Sequence, residues 1–241
     1  MHEHWLERTD LLIGKKGLKK LYETHVLVVG LGGVGAYAAE MLCRAGIGKL
    51  SIVDADTIHP SNRNRQLLAL SSTQGKSKAE LMMLRLKDIN PDIDIEFFNE
   101  FIMDERTIEL LETPFDYIVD AIDTLAPKVF LIKTALDRNI PIISSMGSGG
   151  KMDPTQIQIT DFSKTYNDKL ARMLRKRLHK LGVHKGFKVV FSPEQTKKEA
   201  IKFVENEKNK KTTVGTISYM PPLFGSFMAA DIIREIVGVD D

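Results

Sequence analysis

One cysteine, Cys43, stands among 241 residues. A lone thiol excludes an intrachain disulfide and any zinc site built from several cysteines, and it favours a reducing compartment. Long apolar runs are missing too. The most apolar stretch near the C-terminus, 220–230, is broken by Pro221, Pro222 and Gly225 and is too short to span a bilayer. Residues 1–8 are polar without an apolar centre, so no secretory signal is expected. An excess of one charge is also lacking. The 34 Lys and Arg against 32 Asp and Glu leave a net charge of +2, which does not by itself point to nucleic acid. The hydrophobic fraction of 43% supports a real core and argues against global disorder. The expectation is a soluble, cytoplasmic protein.

What is present is a strand–helix alternation. Residues 26–29 are wholly apolar and end at Gly30, as in a parallel strand covered on both faces. A helix is expected over 33–45, stopped by Gly46 or Gly48, and strands over 50–53, 93–98, 117–122 and 140–144. Helices over 76–89, 104–111 and 126–139 fall between them, the first ended by Asn90-Pro91 and the last carrying Pro127 in its first turn. Residues 5–22 read as a helical lead-in with Leu11, Leu12, Leu18 and Leu21 at helical spacing. This predicts an α/β fold, a Rossmann-like, doubly wound and mostly parallel sheet, with ligands at the carboxyl ends of the strands. Further on, strands are expected over 155–160 and 187–191, helices over 168–181 and 222–237, and an almost wholly charged or polar tract over 197–213 whose centre, 206–211, reads as a solvated loop or frayed helix. The reading divides the chain into an N-terminal helical segment (1–24), a nucleotide-binding core (25–150) and an extension completing the same domain (151–241).

Gly30-x-Gly32-x-x-Gly35, with Gly33 between, lies where a strand turns into a helix. Glycines there permit a tight turn and let a phosphate approach the helix N-terminus, although a tight corner alone would also use them. Asp54, about twenty residues on, suits the ribose hydroxyls of either NAD or ATP. Asp56 is equally at home in a site or as a turn-former. The next segment, Ser61-Asn62-x-x-Arg65-Gln66 followed by Lys78, makes the distinction. Hydride transfer has no task for these groups, whereas phosphoryl or nucleotidyl transfer develops charge that fixed cations stabilise. Asp123, at the fourth strand end, suits the Mg2+ that accompanies ATP, or else caps the following helix.

Taken together, the glycine loop, Asp54-x-Asp56, Ser61-Asn62-x-x-Arg65-Gln66, Gly75-x-x-Lys78, Asn90-Pro91 and Asp120-x-x-Asp123 resemble the ubiquitin-activating-type (ThiF-like) adenylyltransferase superfamily. Those enzymes activate a carboxylate as its acyl-adenylate. Ile122-Asp123-Thr124, Ser144 through Thr155, and Ser163-Lys164-Thr165 are most similar to the branch that dehydrates threonylcarbamoyladenosine in tRNA. The resemblance spans about residues 8–237. It implies that Gly33 and its neighbours hold the phosphates, Asp54 takes the ribose, Asn62, Arg65 and Lys78 bind and polarise the triphosphate, and Asp123 places Mg2+. It also implies that Arg8 reaches into a partner subunit's ATP site in a homodimer, although an exposed helix charge is an equally ordinary role for it.

The paired Cys-x-x-Cys sites and catalytic cysteine common among sulfur- and ubiquitin-handling members are missing, and Cys43 sits on a helix face that packs against the sheet. With no thiol acceptor, the acyl-adenylate has to meet another nucleophile, and the branch resemblance supplies the substrate's own ureido group. Basic residues gather along one helix and its exit, Arg172, Arg175, Lys176, Arg177 and Lys180 among them. Such a run is either a solvated face or a footprint for tRNA phosphates. The expected function is ATP-dependent cyclisation of threonylcarbamoyladenosine in tRNA, with a sulfur-relay protein as a further conceivable partner. The alternatives are adenylation of the C-terminus of a small sulfur-carrier protein, and, in another class, an NAD-dependent oxidoreductase or a nucleotide-binding module.

Overall fold

A computed structural model describes residues 4–207 and 210–238. Its centre is a seven-stranded sheet in the order β3-β2-β1-β4-β5-β7-β6. The strands are β1 (His25–Val29), β2 (Lys49–Val53), β3 (Asp94–Phe98), β4 (Tyr117–Asp120), β5 (Ile142–Ser145), β6 (Gln158–Asp161) and β7 (Lys188–Phe191). All neighbours are parallel except β6, which runs antiparallel to β7 at one edge. The segment after residue 150 therefore contributes two strands to the sheet begun by the first 150.

The helices are α1 (Glu7–Tyr22), α2 (Gly35–Ala45), α3 (Lys78–Ile89), α4 (Glu105–Leu110), α5 (Leu125–Asp137), α6 (Lys169–Lys180) and α7 (Met220–Val237). They cover both faces. Val26 and Val28 of β1 point to a core with Leu42 of α2, Met82 and Leu86 of α3, and Phe224 and Met228 of α7. Leu27 and Val29 point the other way, to Leu110 of α4, Leu131 and Ile132 of α5, and Leu174 and Leu178 of α6. A strand whose alternate residues enter two cores has to be apolar throughout, which is why 26–29 carries no polar residue.

Two expectations change. The 197–213 tract departs from the expectation of a loop or frayed helix at its centre, where residues 206–207 and 210–211 lie in strands and 208–209 fall outside the described residues. It contains an antiparallel pair, β8 (Ile201–Glu207) and β9 (Lys210–Val214), with Ile201 opposite Val214 and Phe203 opposite Thr212. A two-stranded ribbon takes its order from backbone pairing and needs few apolar residues, so overall polarity was a poor guide. The lead-in over 5–22 is helical, but Gly14 breaks it at φ 71°. Leu21 is buried while Leu11 and Leu12 are exposed, so the four leucines do not share one inward face.

Cys43 is fully buried on α2. Its thiol faces the Leu86 carbonyl at 3.6 Å, and desolvation pushes its pKa up to about 12. It packs as a small apolar group.

Candidate nucleotide site

The loops after β1 and β4 lie side by side, because these strands are neighbours although remote in sequence. Strand order reverses between them, which is the position where open α/β sheets hold ligands. The glycines of the first loop serve distinct purposes. Gly30 has φ 91°, and a Cβ there would meet the Ala121 carbonyl oxygen at 2.8 Å. A Cβ on Gly35 would stand 1.8 Å from the Gly30 carbonyl oxygen. These two are demanded by the protein's own backbone. Gly32 is different. The nearest atom to a Cβ there is Gln66 Nε2 at 3.6 Å, an ordinary contact, so the protein leaves room beside Gly32 that it does not itself need.

Arg65 and Gln66 border this opening. The Arg65 carbonyl and Cγ lie 3.4 and 3.5 Å from where a Gly33 Cβ would be. Its guanidinium donates to the Ser61 carbonyl at 3.1 Å and to Asn64 Oδ1 at 2.8 Å, and no carboxylate neutralises it among the described residues. The Gln66 Oε1 is buried without a hydrogen-bond partner, an orphan that calls for a ligand or water. The Asn62 side-chain oxygen accepts from the His59 N–H at 3.0 Å and so fixes the turn, while its amide nitrogen has no protein partner among the described residues.

Asp54 stands at the end of β2. One carboxylate oxygen accepts from Leu31 N–H at 2.6 Å and the other from Asp56 N–H at 2.8 Å. Burial raises its pKa, opposed by the Lys78 charge and these two N–H donors. Each oxygen keeps a second lone pair, enough to accept from a diol. Lys78 opens α3, with Ser77 as the cap accepting from Glu80 N–H. The Lys78 ammonium sits 2.7 Å from Asp56 and 3.9 Å from Asp54. Asp56, read as either turn or site, is thus tied to the site through Lys78. Ser61 contributes its carbonyl to Arg65.

Asp123 is exposed in the loop between β4 and α5. The N-cap residue of α5 is Thr124, with no side-chain cap, so the helix-cap alternative does not describe Asp123. Among the described residues no group of three His, Cys, Asp or Glu could hold a metal by itself. One carboxylate beside the glycine turn fits Mg2+ only with phosphates and water as the remaining ligands.

Sequence reasoning gave several residues no individual role. Asp120 and Lys128 form a fully buried ion pair beneath the Asp123 loop. The only hint was a lysine amid the apolar run of α5. Lys151 is buried with its ammonium on the Ser192 carbonyl at 3.0 Å and on the Glu194 carbonyl, and desolvation lowers its pKa. Asp168 caps α6 through the Ala171 N–H at 2.7 Å, and burial raises its pKa. Together they brace the glycine-rich loop after β5.

Arg8 is exposed near the start of α1. On α6, Arg172, Lys176, Arg177 and Lys180 are exposed, while Ala171, Leu174 and Leu178 face inward. Arg175 departs from the basic face. It donates to the Thr165 carbonyl at 2.6 Å and to the Thr165 hydroxyl, and lies 5.7 Å over the Phe162 ring.

A Rossmann-like sheet, a glycine turn, a carboxylate at the end of β2 and, among the described residues, a guanidinium with no carboxylate partner and an amide nitrogen with no protein partner define the class, a nucleotide-binding adenylation-type protein. The chain belongs to the ThiF family, whose profile matches residues 7–241. It is 39% identical over 241 residues to the tRNA threonylcarbamoyladenosine dehydratase of Bacillus subtilis, covering 97% of this chain and 95% of that protein. The crystal structure of the E. coli tRNA N6-threonylcarbamoyladenosine dehydratase in complex with ATP superposes with a TM-score of 0.89 at 33% identity, covering 99% of this chain and 97% of that one. The molybdopterin-synthase adenylyltransferase of Haemophilus influenzae is 32% identical over 184 residues, 73% of this chain and 74% of that protein. No helix among the described residues is long and apolar enough to cross a membrane.

Proposed function

We propose that this chain is an ATP-dependent tRNA threonylcarbamoyladenosine dehydratase. An oxygen of the threonyl carboxylate attacks the α-phosphorus of ATP, and pyrophosphate leaves. The resulting acyl-adenylate is then attacked at its carbonyl by the ureido group of the same side chain, a ring closes, and AMP leaves. The net change in the nucleoside is loss of one water. The observation that carries the adenylation chemistry is Arg65, whose carbonyl and Cγ lie against Gly33 at the glycine turn and whose guanidinium has no carboxylate partner among the described residues. Preorganised charge of this kind acts on the phosphates as they become more negative. The substrate class follows from the full-length likeness to the B. subtilis dehydratase.

The position of each residue supports a role. Gly32 leaves room for a phosphate, Asp54 receives the ribose hydroxyls, and Asn62, Arg65, Gln66 and Lys78 contact the triphosphate. Asp123 would hold Mg2+, which neutralises phosphate charge when bound. Cyclisation needs no protein nucleophile, because both reacting groups belong to one side chain and the second step is intramolecular. That suits a chain whose single thiol is buried with a pKa of about 12. Adenylation of a sulfur-carrier C-terminus fits less well, since the molybdopterin-synthase adenylyltransferase is 32% identical over 184 residues against 39% over 241 for the B. subtilis dehydratase.

Arg8 supplies a cation to the neighbouring subunit's site in a homodimer, and a sulfur-relay protein is a conceivable accessory partner. The tRNA backbone lies along Arg172, Lys176, Arg177 and Lys180, while Arg175 is committed to Thr165 and Phe162. A cytoplasmic setting suits both the thiol and the tRNA. The test is incubation with α-labelled ATP and tRNA carrying threonylcarbamoyladenosine. Labelled AMP should appear, together with a nucleoside lighter by one water in mass spectrometry. Unchanged nucleosides with all label left in ATP would overturn the proposal.

A further inference from the structure

We infer that Lys128 is a positioning residue for the Asp123 loop, acting through its ion pair with Asp120. Both side chains are wholly excluded from solvent, with Lys128 Nζ 2.8 Å from Asp120 Oδ2. The same ammonium donates to the Ile122 carbonyl at 2.9 Å. Asp120 completes the arrangement, because its Oδ1 accepts from Ile122 N–H at 3.1 Å and its Oδ2 from the Ser144 hydroxyl at 2.7 Å. The N–H and the carbonyl of Ile122, the residue before Asp123, are thus both fixed by one buried pair. One residue earlier, Ala121 N–H donates to the Val29 carbonyl at 2.9 Å, and its own carbonyl lies against Gly30. The pair therefore locks the β4–α5 loop to the glycine turn and, through Ser144, to β5.

Stability gives no reason to keep such a pair. Desolvating two charges costs several kcal/mol, and well-packed apolar residues of similar volume commonly do as well or better. An apolar pair, however, could not bond both polar groups of Ile122. The position of the Asp123 carboxylate relative to the phosphate loop is what the charged pair adds.

This inference rests on the reading of Asp123 as the Mg2+ ligand of the ATP site, and the experiment separates the two. Asp123→Asn, Lys128→Arg and the double variant Asp120→Asn/Lys128→Met are compared with the unmodified protein. Three quantities are measured: the thermal midpoint, equilibrium binding of ATP with MgCl2 or with EDTA, and the MgCl2 concentration giving half-maximal AMP release. The double variant leaves no lone buried charge, so its midpoint should stay near that of the parent. Its ATP binding in EDTA should be unchanged, while its Mg2+ requirement rises about tenfold or more, as when a metal ligand loses its support. A packing role would shift the midpoint and leave the Mg2+ requirement alone, and that result overturns the inference. Should the double variant not fold, Lys128→Arg decides. A raised Mg2+ requirement supports positioning and an unchanged one refutes it. If Asp123→Asn keeps normal turnover and normal Mg2+ dependence, the reading of Asp123 falls first and the inference falls with it.

Discussion

The Lys78 ammonium is buried between two carboxylates, 2.7 Å from Asp56 and 3.9 Å from Asp54, yet Asp56 itself is 71% exposed. The cation is therefore held in place by a partner that water already screens, and it can turn toward a triphosphate without a large loss. Lys78→Met should lower AMP formation by about a hundredfold or more, the scale seen when one preorganised charge is removed from a transition state. Asp56→Asn removes only the screened partner and should cost less than about tenfold. Steady-state pyrophosphate release with modified tRNA distinguishes them, and equal losses would show that Asp56 does more than hold Lys78.

The glycines separate a folding requirement from a ligand requirement. Gly35→Ala drives a methyl group into the Gly30 carbonyl and should lower the thermal midpoint sharply or prevent folding. Gly32→Ala meets nothing closer than 3.6 Å, so the midpoint without nucleotide should be nearly unchanged. The added methyl occupies the room assigned to a phosphate, so the rise in midpoint on adding ATP should shrink or vanish. Melting curves of both variants with and without ATP are sufficient. A full ATP-induced rise in Gly32→Ala would move the phosphates elsewhere.

The central sheet was legible because its strands bury both faces and read as short apolar runs, and because Gly30 and Asn90-Pro91 punctuate them. The nearness of Lys78 to Asp54 was legible because both belong to the connection from β2 to α3, as Arg65 does, and the structure puts the first two 3.9 Å apart. What escaped had little local sign. Lys128 finds its partner eight positions earlier, on a different element, and only the fold brings them together under the site. Arg175 shares the composition of its basic neighbours, but helical rotation turns it inward to Phe162. The β8–β9 pair is written largely in charged and polar residues, so polarity concealed its strands. Leu11 and Leu12 lost their inward direction to the break at Gly14.

His25 links stability to pH. Its ring nitrogen lies 2.9 Å from the Ser51 hydroxyl, and the ring packs edge-on to Phe115 with centroids 4.6 Å apart. Burial, followed by the Lys49 charge, holds its pKa below the ordinary 6.5, against opposite pulls from Glu96, Asp116 and Asp94. On acidification through 6.5 the unfolded chain gains a proton here that the folded chain resists. This contribution to stability is therefore present above 6.5 and lost as the pH falls below it. Urea midpoints measured at about pH 7 and about pH 5.5 should drop for the parent and drop less for His25→Gln. Equal drops would assign the acid sensitivity to other groups.

The basic face of α6 should bind tRNA without touching the adenylation chemistry. Arg172, Lys176 and Lys180 recur at helical spacing on the side opposite Leu174 and Leu178, Arg177 lies at the flank, and all four are exposed. If each meets a phosphate, binding depends steeply on salt, because every neutralised phosphate releases condensed counterions. Arg172→Glu/Lys176→Glu should weaken tRNA binding severalfold or more and flatten the plot of log affinity against log salt by about two units. ATP binding in the absence of tRNA should be unchanged. Arg175→Ala should behave differently, lowering the thermal midpoint through loss of its bonds to Thr165 and its packing on Phe162, with the salt slope intact. Filter binding across a salt series, paired with melting curves, reads both effects. An unaltered slope in the double variant would place the tRNA on another surface, whereas a reduced slope in Arg175→Ala would return that residue to the footprint.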